Sequence, residues 1–190
     1  MDKQSSFQIL FTKNTYDNLF LCMHITVPTI VKKFNLLPHP EGGYYKETYQ
    51  SAESIAKEAL PDRFGGPRPF STAIYFLLES GNFSAFHRIK SDECWHFYAG
   101  DPLHVHVIYP DGNYALLELD NQLNHGSTCQ AIVPAGAWFA SETASGGSFS
   151  FVGCTVSPGF DFADFELAKS AELSALFPTH TPLIQRLCRI

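Results

Sequence analysis

The sequence predicts an all-β fold, a β-sandwich or small barrel with short helices at its N- and C-terminal ends. Three observations carry this. Short runs alternating apolar and polar residues recur at even spacing from about residue 42 to 156, split by the turns Asp101-Pro102, Pro110-Asp111-Gly112 and Ser145-Gly146-Gly147. Aromatic content is high, with 17 Phe and 8 Tyr, which suits pleated structure. The 190 residues are 45% hydrophobic and 17% charged, enough for one core and unlike a disordered chain.

Residues 1–25 read as an extension before a domain covering 26–190. Phe7, Ile9 and Phe11 alternate with polar neighbours there, so this arm suits addition to a sheet edge. A short helix follows. Thr26 is placed to cap it, Pro28 sits in its first turn, and Ile30, Val31, Phe34 and Leu37 make one apolar stripe, ended by Pro38 and Pro40. Strands are expected at 44–49, 72–79, 83–89, 93–99, 103–109, 114–119, 129–133 and 148–156. A helical turn over 54–60 and the loop PDRFGGPRPF interrupt them. Pro158-Gly159 closes the last strand, helical periodicity runs over 164–176, and a second short helix is expected over 182–187.

The formal net charge of −6 and the scattered basic residues argue against a nucleic-acid surface. No run reaches the ~20 apolar residues of a membrane helix, and the N-terminus lacks a secretory apolar core. Five cysteines without a Cys-x-x-Cys pair fit reduced, mostly buried thiols in a cytoplasmic protein better than disulfides or structural zinc.

Chemistry concentrates in Gly81–Gly100, GNFSAFHRIKSDECWHFYAG. On a strand His87 and Ile89 share a face, and Glu93 follows across a tight turn. A histidine beside a carboxylate among Phe, Trp and Tyr is a proton-transfer couple, whose bland alternative is a mutual hydrogen bond. Trp95 and Phe97 share the face of Glu93. His96 reaches that face only through a bulge. His104 and His106 alternate with Leu103, Val105 and Val107, which places the two histidines towards solvent. After Gly42-Gly43, the residues Glu41, Tyr45, Glu47 and Tyr49 are candidates for a barrel mouth. Of Trp138 and Phe139, alternation turns only one inward. Phe160, Phe162 and Phe165 are expected to fix the C-terminal helix to the barrel.

The stretches LLPHPEGGYYKETY at 36–49, STAIYFLL at 71–78, FHRIKSDECWHFYAGDPL at 86–103, IVPAGAWFA at 132–140 and VGCTVSPGFDFADFELA at 152–168 resemble the cupin-5 (DUF985) family of the cupin superfamily. The resemblance implies a cupin double-stranded β-helix, or jelly-roll barrel, usually a homodimer, with an internal pocket for a small-molecule ligand. Metal cupins use a His-x-His pair, a glutamate and a later histidine in Pro-x-Gly-x-x-His. At two of those four positions this chain has Ile89 and Phe139. No cofactor is therefore expected beyond a weak or adventitious divalent metal, held if at all by His87, Glu93 and His96. The implied fold is also similar to the dTDP-4-dehydrorhamnose 3,5-epimerases, which pair a histidine–carboxylate base with a tyrosine acid and use no metal. That similarity implies His87 as base, Glu93 as its carboxylate and Tyr45, Tyr75 or Tyr98 as acid. Glu41, Glu47, Tyr49, Trp95, His96, Phe97, Tyr98, Trp138 and Phe139 would then be ligand-binding. The expected function is a metal-independent isomerase or epimerase acting on a sugar-derived molecule. The alternatives are a metal-dependent, dioxygenase-like cupin and a non-catalytic ligand-binding cupin.

Overall fold

The computed structural model describes residues 25–122 and 126–189. The arm expected over 1–25 lies outside these residues, apart from Ile25. Helix α1 (Val27–Phe34) starts where the Thr26 hydroxyl accepts from the Thr29 N–H, and it stops at Asn35, whose φ of 53° is left-handed. Ile30 and Leu36 bury its inner stripe against Leu77, Phe149 and Phe151.

The strands in chain order are β1 (Leu37–Pro38), β2 (Tyr44–Gln50), β3 (Ser54–Ile55), β4 (Arg68–Pro69), β5 (Thr72–Glu79), β6 (Phe83–Arg88), β7 (Asp92–Gly100), β8 (Leu103–Ile108), β9 (Tyr114–Leu119), β10 (Gln130–Val133), β11 (Trp138–Thr143), β12 (Phe149–Ser157) and β13 (Glu166–Leu167). They pair antiparallel in one sheet ordered β1-β2-β5-β12-β7-β10, a second ordered β13-β6-β11-β8-β9, and the small hairpin β3-β4. From β5 to β8 the chain crosses between the two large sheets at every step, and it does so again from β10 to β12. This is the jelly-roll winding. Residues at alternate positions fill the interior, including Phe76, Leu78, Trp95, Phe97, Val105, Phe139 and Val152.

Four expectations need correction. Strand β11 was not anticipated, because it does not alternate: Trp138 to Ser141 are all buried. Its inner side faces the barrel. Its outer side lies under helices α2 (Ser170–Leu176) and α3 (Thr181–Arg186), where Trp138 and Ala140 pack with Leu173, Ile184 and Leu187. The helix expected from 164 begins only at Ser170, after a 3₁₀ turn (Phe162–Asp164) and β13. The turn over 54–60 is the strand β3 and a 3₁₀ turn, Lys57–Ala59. His106 does not face solvent: its ring nitrogens bond the Tyr114 hydroxyl (2.8 Å) and Glu142 (3.0 Å), and Arg186 of α3 reaches over to the same glutamate. Among the described residues no helix is long and apolar enough to cross a membrane.

One ion pair fixes the barrel mouth. Arg68 on β4 grips Asp164 with two hydrogen bonds of 2.6 Å, and Lys90 lies 3.4 Å from the same carboxylate. Burial alone would raise the Asp164 pKa, but the hydrogen bonds and charge of Arg68, then of Lys90, hold it below the usual carboxylate range. The pair ties the β3-β4 hairpin to the segment that follows β12.

Candidate functional site

At the end of the barrel under that segment lies a cavity of about 280 Å³. Alternation on four strands supplies half of its wall: Tyr45 and Glu47 from β2, Thr72 and Ile74 from β5, Glu93 from β7, and Cys154 and Val156 from β12. β6 contributes His87, and Ile89 follows directly behind it. His39 and Glu41 come from the turn between β1 and β2. Gly42 (φ 120°) and Gly43 (φ 72°) reverse the chain there, and a side chain on Gly42 would strike the Phe83 carbonyl and the Arg189 guanidinium.

His87 is 3% exposed, and its nearest acidic partner is Glu41. Its Nε2 lies 3.1 Å from Glu41 Oε2, while its Nδ1 lies 2.7 Å from the Ala85 carbonyl oxygen. A register shift in the β6–β11 pairing, where Phe139 faces His87 but Ser141 faces Ser84, brings positions 84 and 87 to one side. The Ser84 hydroxyl thus donates to Glu41 Oε1 at 2.9 Å. The Glu41 backbone carbonyl accepts from Ala85 N–H (2.9 Å) and from Arg189 Nε (3.0 Å). His39 Nδ1 lies 3.6 Å from Glu41 Oε2 and accepts the Glu41 N–H at 3.4 Å.

These contacts fix where one proton resides. A carbonyl oxygen only accepts, so His87 Nδ1 carries hydrogen. Nε2 and Glu41 then hold a single proton between them in the neutral pair. Burial pushes the His87 pKa down, against the charge of Glu93 and the bond to Ala85. Burial pushes Glu41 up, against His39 and Ser84. Both shifts favour imidazole plus carboxylic acid, with Glu41 donating to Nε2. Glu93 is also raised by burial, to about 7, opposed by His87 and the Cys154 thiol and helped by Glu41. Burial lowers His39, and burial with the nearby Glu93 charge raises Cys154 well above the usual thiol range.

The folded chain holds the Glu93 proton up to about pH 7, whereas the unfolded chain releases it near 4.5. Stability carried by that proton is complete below pH 4.5 and is lost as pH rises through 7. Glu93→Gln removes the titration. Its stability relative to wild type should therefore increase across this window by up to about 1.4 kcal/mol per pH unit, read from urea midpoints. A gap that stays flat with pH would contradict a buried, protonated Glu93.

The other candidates separate by strand face. Phe139 points inward, its ring centroid 4.0 Å from that of His87. Trp95 and Phe97 also point inward but lie deeper, in the packed core rather than on the cavity wall. His96 does not turn in: β7 keeps its alternation, and His96 bonds Thr155 (3.1 Å) and Gln130 (3.0 Å) on the outer face. Tyr75 and Tyr98 sit on that face too, 5.9 Å apart, where Tyr75 seats Phe34 of α1. Trp138 points outward, under α2 and α3 and against Arg88. Tyr49 is exposed, because a register shift after Glu47 turns it off the face of Tyr45.

Several lining residues escape the sequence reading, among them Thr72, Ile74, Cys154 and Val156 on the inward faces of β5 and β12, His39, and three phenylalanines. His39 stands two residues before Glu41 in HPEGGYY, the only local signal for it. Phe160, Phe162 and Phe165 cover the cavity mouth rather than seat a helix. Phe160 N–H donates to Thr72 Oγ1 at 2.9 Å, and Asp164 is anchored by Arg68, so the segment folds inward.

Ile89 and Phe139 put hydrocarbon at two positions where a metal would need donors, His96 is spent on the outer face, and among the described residues no three His, Cys, Asp or Glu side chains are arranged to hold a metal ion.

Residues 28–168 match the family model described as the cupin superfamily (DUF985). A hypothetical protein from Leishmania major is 36% identical and has a TM-score of 0.80, the alignment covering 87% of this chain and 100% of that one. A protein from Shewanella oneidensis is 38% identical with a TM-score of 0.78, covering 87% of this chain and 98% of that one. An uncharacterised protein of Saccharomyces cerevisiae is 28% identical over 152 residues, 75% of each chain.

Proposed function

The chain belongs to the cupin-5 (DUF985) family of the cupin superfamily, and we propose that its barrel cavity is a metal-independent proton-transfer site that isomerises or epimerises a small carbonyl compound, possibilities that include sugar derivatives. One observation carries this: two titratable centres line one largely apolar cavity, the Glu41–His87 couple with its shared proton and Glu93 with a pKa of about 7. Groups whose surroundings set them to give and to take a proton near neutral pH are what acid–base catalysis at carbon needs.

The roles differ from those the epimerase resemblance implies. The proton already held between Glu41 and His87 Nε2 makes that couple the donor to the substrate carbonyl oxygen. Glu93, ionisable near neutral pH, takes the proton from the adjacent carbon. Tyr45, on the same wall, is a second donor candidate. Phe139 and Phe165 flank the His87 ring, at 4.0 and 5.2 Å between centroids, and keep water from it. A reducing, cytoplasmic setting belongs to the same proposal, in keeping with the free thiols of Cys94, Cys129, Cys154 and Cys188.

The test is incorporation of solvent deuterium. Wild-type protein in D₂O, given a panel of hydroxy- and amino-carbonyl compounds, should exchange the hydrogen next to the carbonyl of at least one, by NMR. Glu93→Gln should lower that rate by about 10²–10⁴-fold. Saturable binding with no exchange anywhere in the panel would instead favour a non-catalytic binding protein.

A further inference from the structure

Resting on that reading, we propose that the cavity selects a substrate carrying a small organic cation, such as a protonated amino group. Charge and shape both point there. Glu41, Glu47 and Glu93 line the cavity, and no lysine or arginine among the described residues does. Four aromatic side chains, Tyr45, Phe160, Phe162 and Phe165, form much of the remaining wall. Aromatic ring faces carry negative potential and attract a cation within about 6 Å. Phe160 and Phe162 meet at 80° with centroids 5.0 Å apart, making a corner, and Phe162 is 56% exposed, which puts that corner at the entrance. Glu47 is exposed as well, so a carboxylate stands where a ligand would enter.

Basic side chains around the mouth are committed elsewhere: Arg68 is held by Asp164 through two 2.6 Å hydrogen bonds. Arg63, Arg88 and Lys90 line a separate groove, beyond Ile89 and Phe165. There Arg88 pairs with Glu166 at 2.7 Å, Lys90 lies 3.4 Å from Asp164, and Arg63 donates to the Lys90 carbonyl at 2.7 Å. Arg189 holds the Glu41 carbonyl from behind the turn, in an outer cleft. An anion entering the cavity would pass the Glu47 carboxylate and meet aromatic ring faces, with no lysine or arginine on the wall to pair with. A neutral molecule would meet rings and hydrogen-bonding groups, and a cation would gain from the ring faces and from the Glu47 carboxylate at the entrance, with the Glu41 and Glu93 carboxyl oxygens left to accept its hydrogen bonds. The formal net charge of −6 favours the approach of cations over anions from a distance.

Three probes of one shape and different charge test this: tert-butylammonium, tert-butanol and pivalate, titrated into the full chain at fixed ionic strength and followed by ¹H–¹⁵N NMR. The ammonium should bind saturably, with shifts at Glu47 and Phe162, and about ten-fold or more tighter than the alcohol, while pivalate should not bind there. Glu47→Gln and Phe162→Ala should each weaken the ammonium several-fold with little change in the alcohol. Equal affinities across the series, tighter binding of pivalate, or no saturable ammonium binding would each overturn the proposal. Deuterium exchange separates it from the reading beneath: exchange of neutral carbonyl compounds alone, with no ammonium preference, removes the cation selectivity and leaves proton transfer. Ammonium binding with no exchange does the reverse.

Discussion

Glu41→Gln should lower turnover by about 10²–10⁴-fold while leaving the fold and its melting temperature nearly unchanged. The geometry separates the two effects. A glutamine amide has the shape of the protonated carboxyl. Its NH₂ can donate to His87 Nε2, now 3.1 Å from Oε2, and its oxygen can still accept from Ser84, now 2.9 Å from Oε1. The backbone anchors of residue 41, Ala85 N–H and Arg189 Nε, are untouched. What is lost is the ability to pass a proton between the side chain and His87. Substrate binding measured with the inactive variant should change little, so the loss falls on kcat more than on KM. Equal losses of activity and of melting temperature would mean that Glu41 only holds the turn in place.

Arg68→Met should cost about 3–5 kcal/mol, because it strips a buried carboxylate of the partner that neutralises it. Arg68 and Asp164 are 4% and 6% exposed, and they share two 2.6 Å hydrogen bonds. Lys90, at 3.4 Å and partly exposed, compensates only in part. For a chain of this length the melting temperature should fall on the order of 10 °C by calorimetry. The double variant Arg68→Met/Asp164→Leu removes the stranded charge and should recover most of that loss. A single variant that melts within two or three degrees of wild type would mean that the pair contributes little to stability. Because Asp164 anchors the segment bearing Phe160, Phe162 and Phe165, the single variant should also open the cavity mouth and weaken ligand binding.

Period and spacing reveal the barrel in the chain because alternation is a local property. β5 and β9 match their expected limits, and Glu93, Trp95 and Phe97 share the inward face of β7 while His96 does not. Where burial is two-sided the signal vanishes, as in β11, which helices cover on one side and the core on the other. The site was half legible. His87 and Glu93 stood out as a pair, but the direct partner of His87 is Glu41, which reaches it only because a register shift lets Ser84 and His87 meet one carboxylate. No local spacing encodes that. Tyr75 and Tyr98 could not be assigned a face without the strand register, and that register turns both outward. The three phenylalanines over the mouth read from sequence as helix packing because nothing near them in the chain indicates the Arg68–Asp164 tether.

The central claim is that His87 and Glu41 together hold one proton, with Nδ1–H fixed on the Ala85 carbonyl. Imidazole ¹⁵N spectra of the full chain, with His87 assigned through its absence in His87→Gln, test it directly. Near pH 7 His87 should be a neutral Nδ1–H tautomer whose Nε2 is unprotonated and hydrogen-bonded. Glu41→Gln should keep that tautomer, and protonation of the ring should begin only below the ordinary histidine range. A cationic His87 at neutral pH, or an Nε2–H tautomer, would contradict the shared proton and with it the assignment of the couple as proton donor.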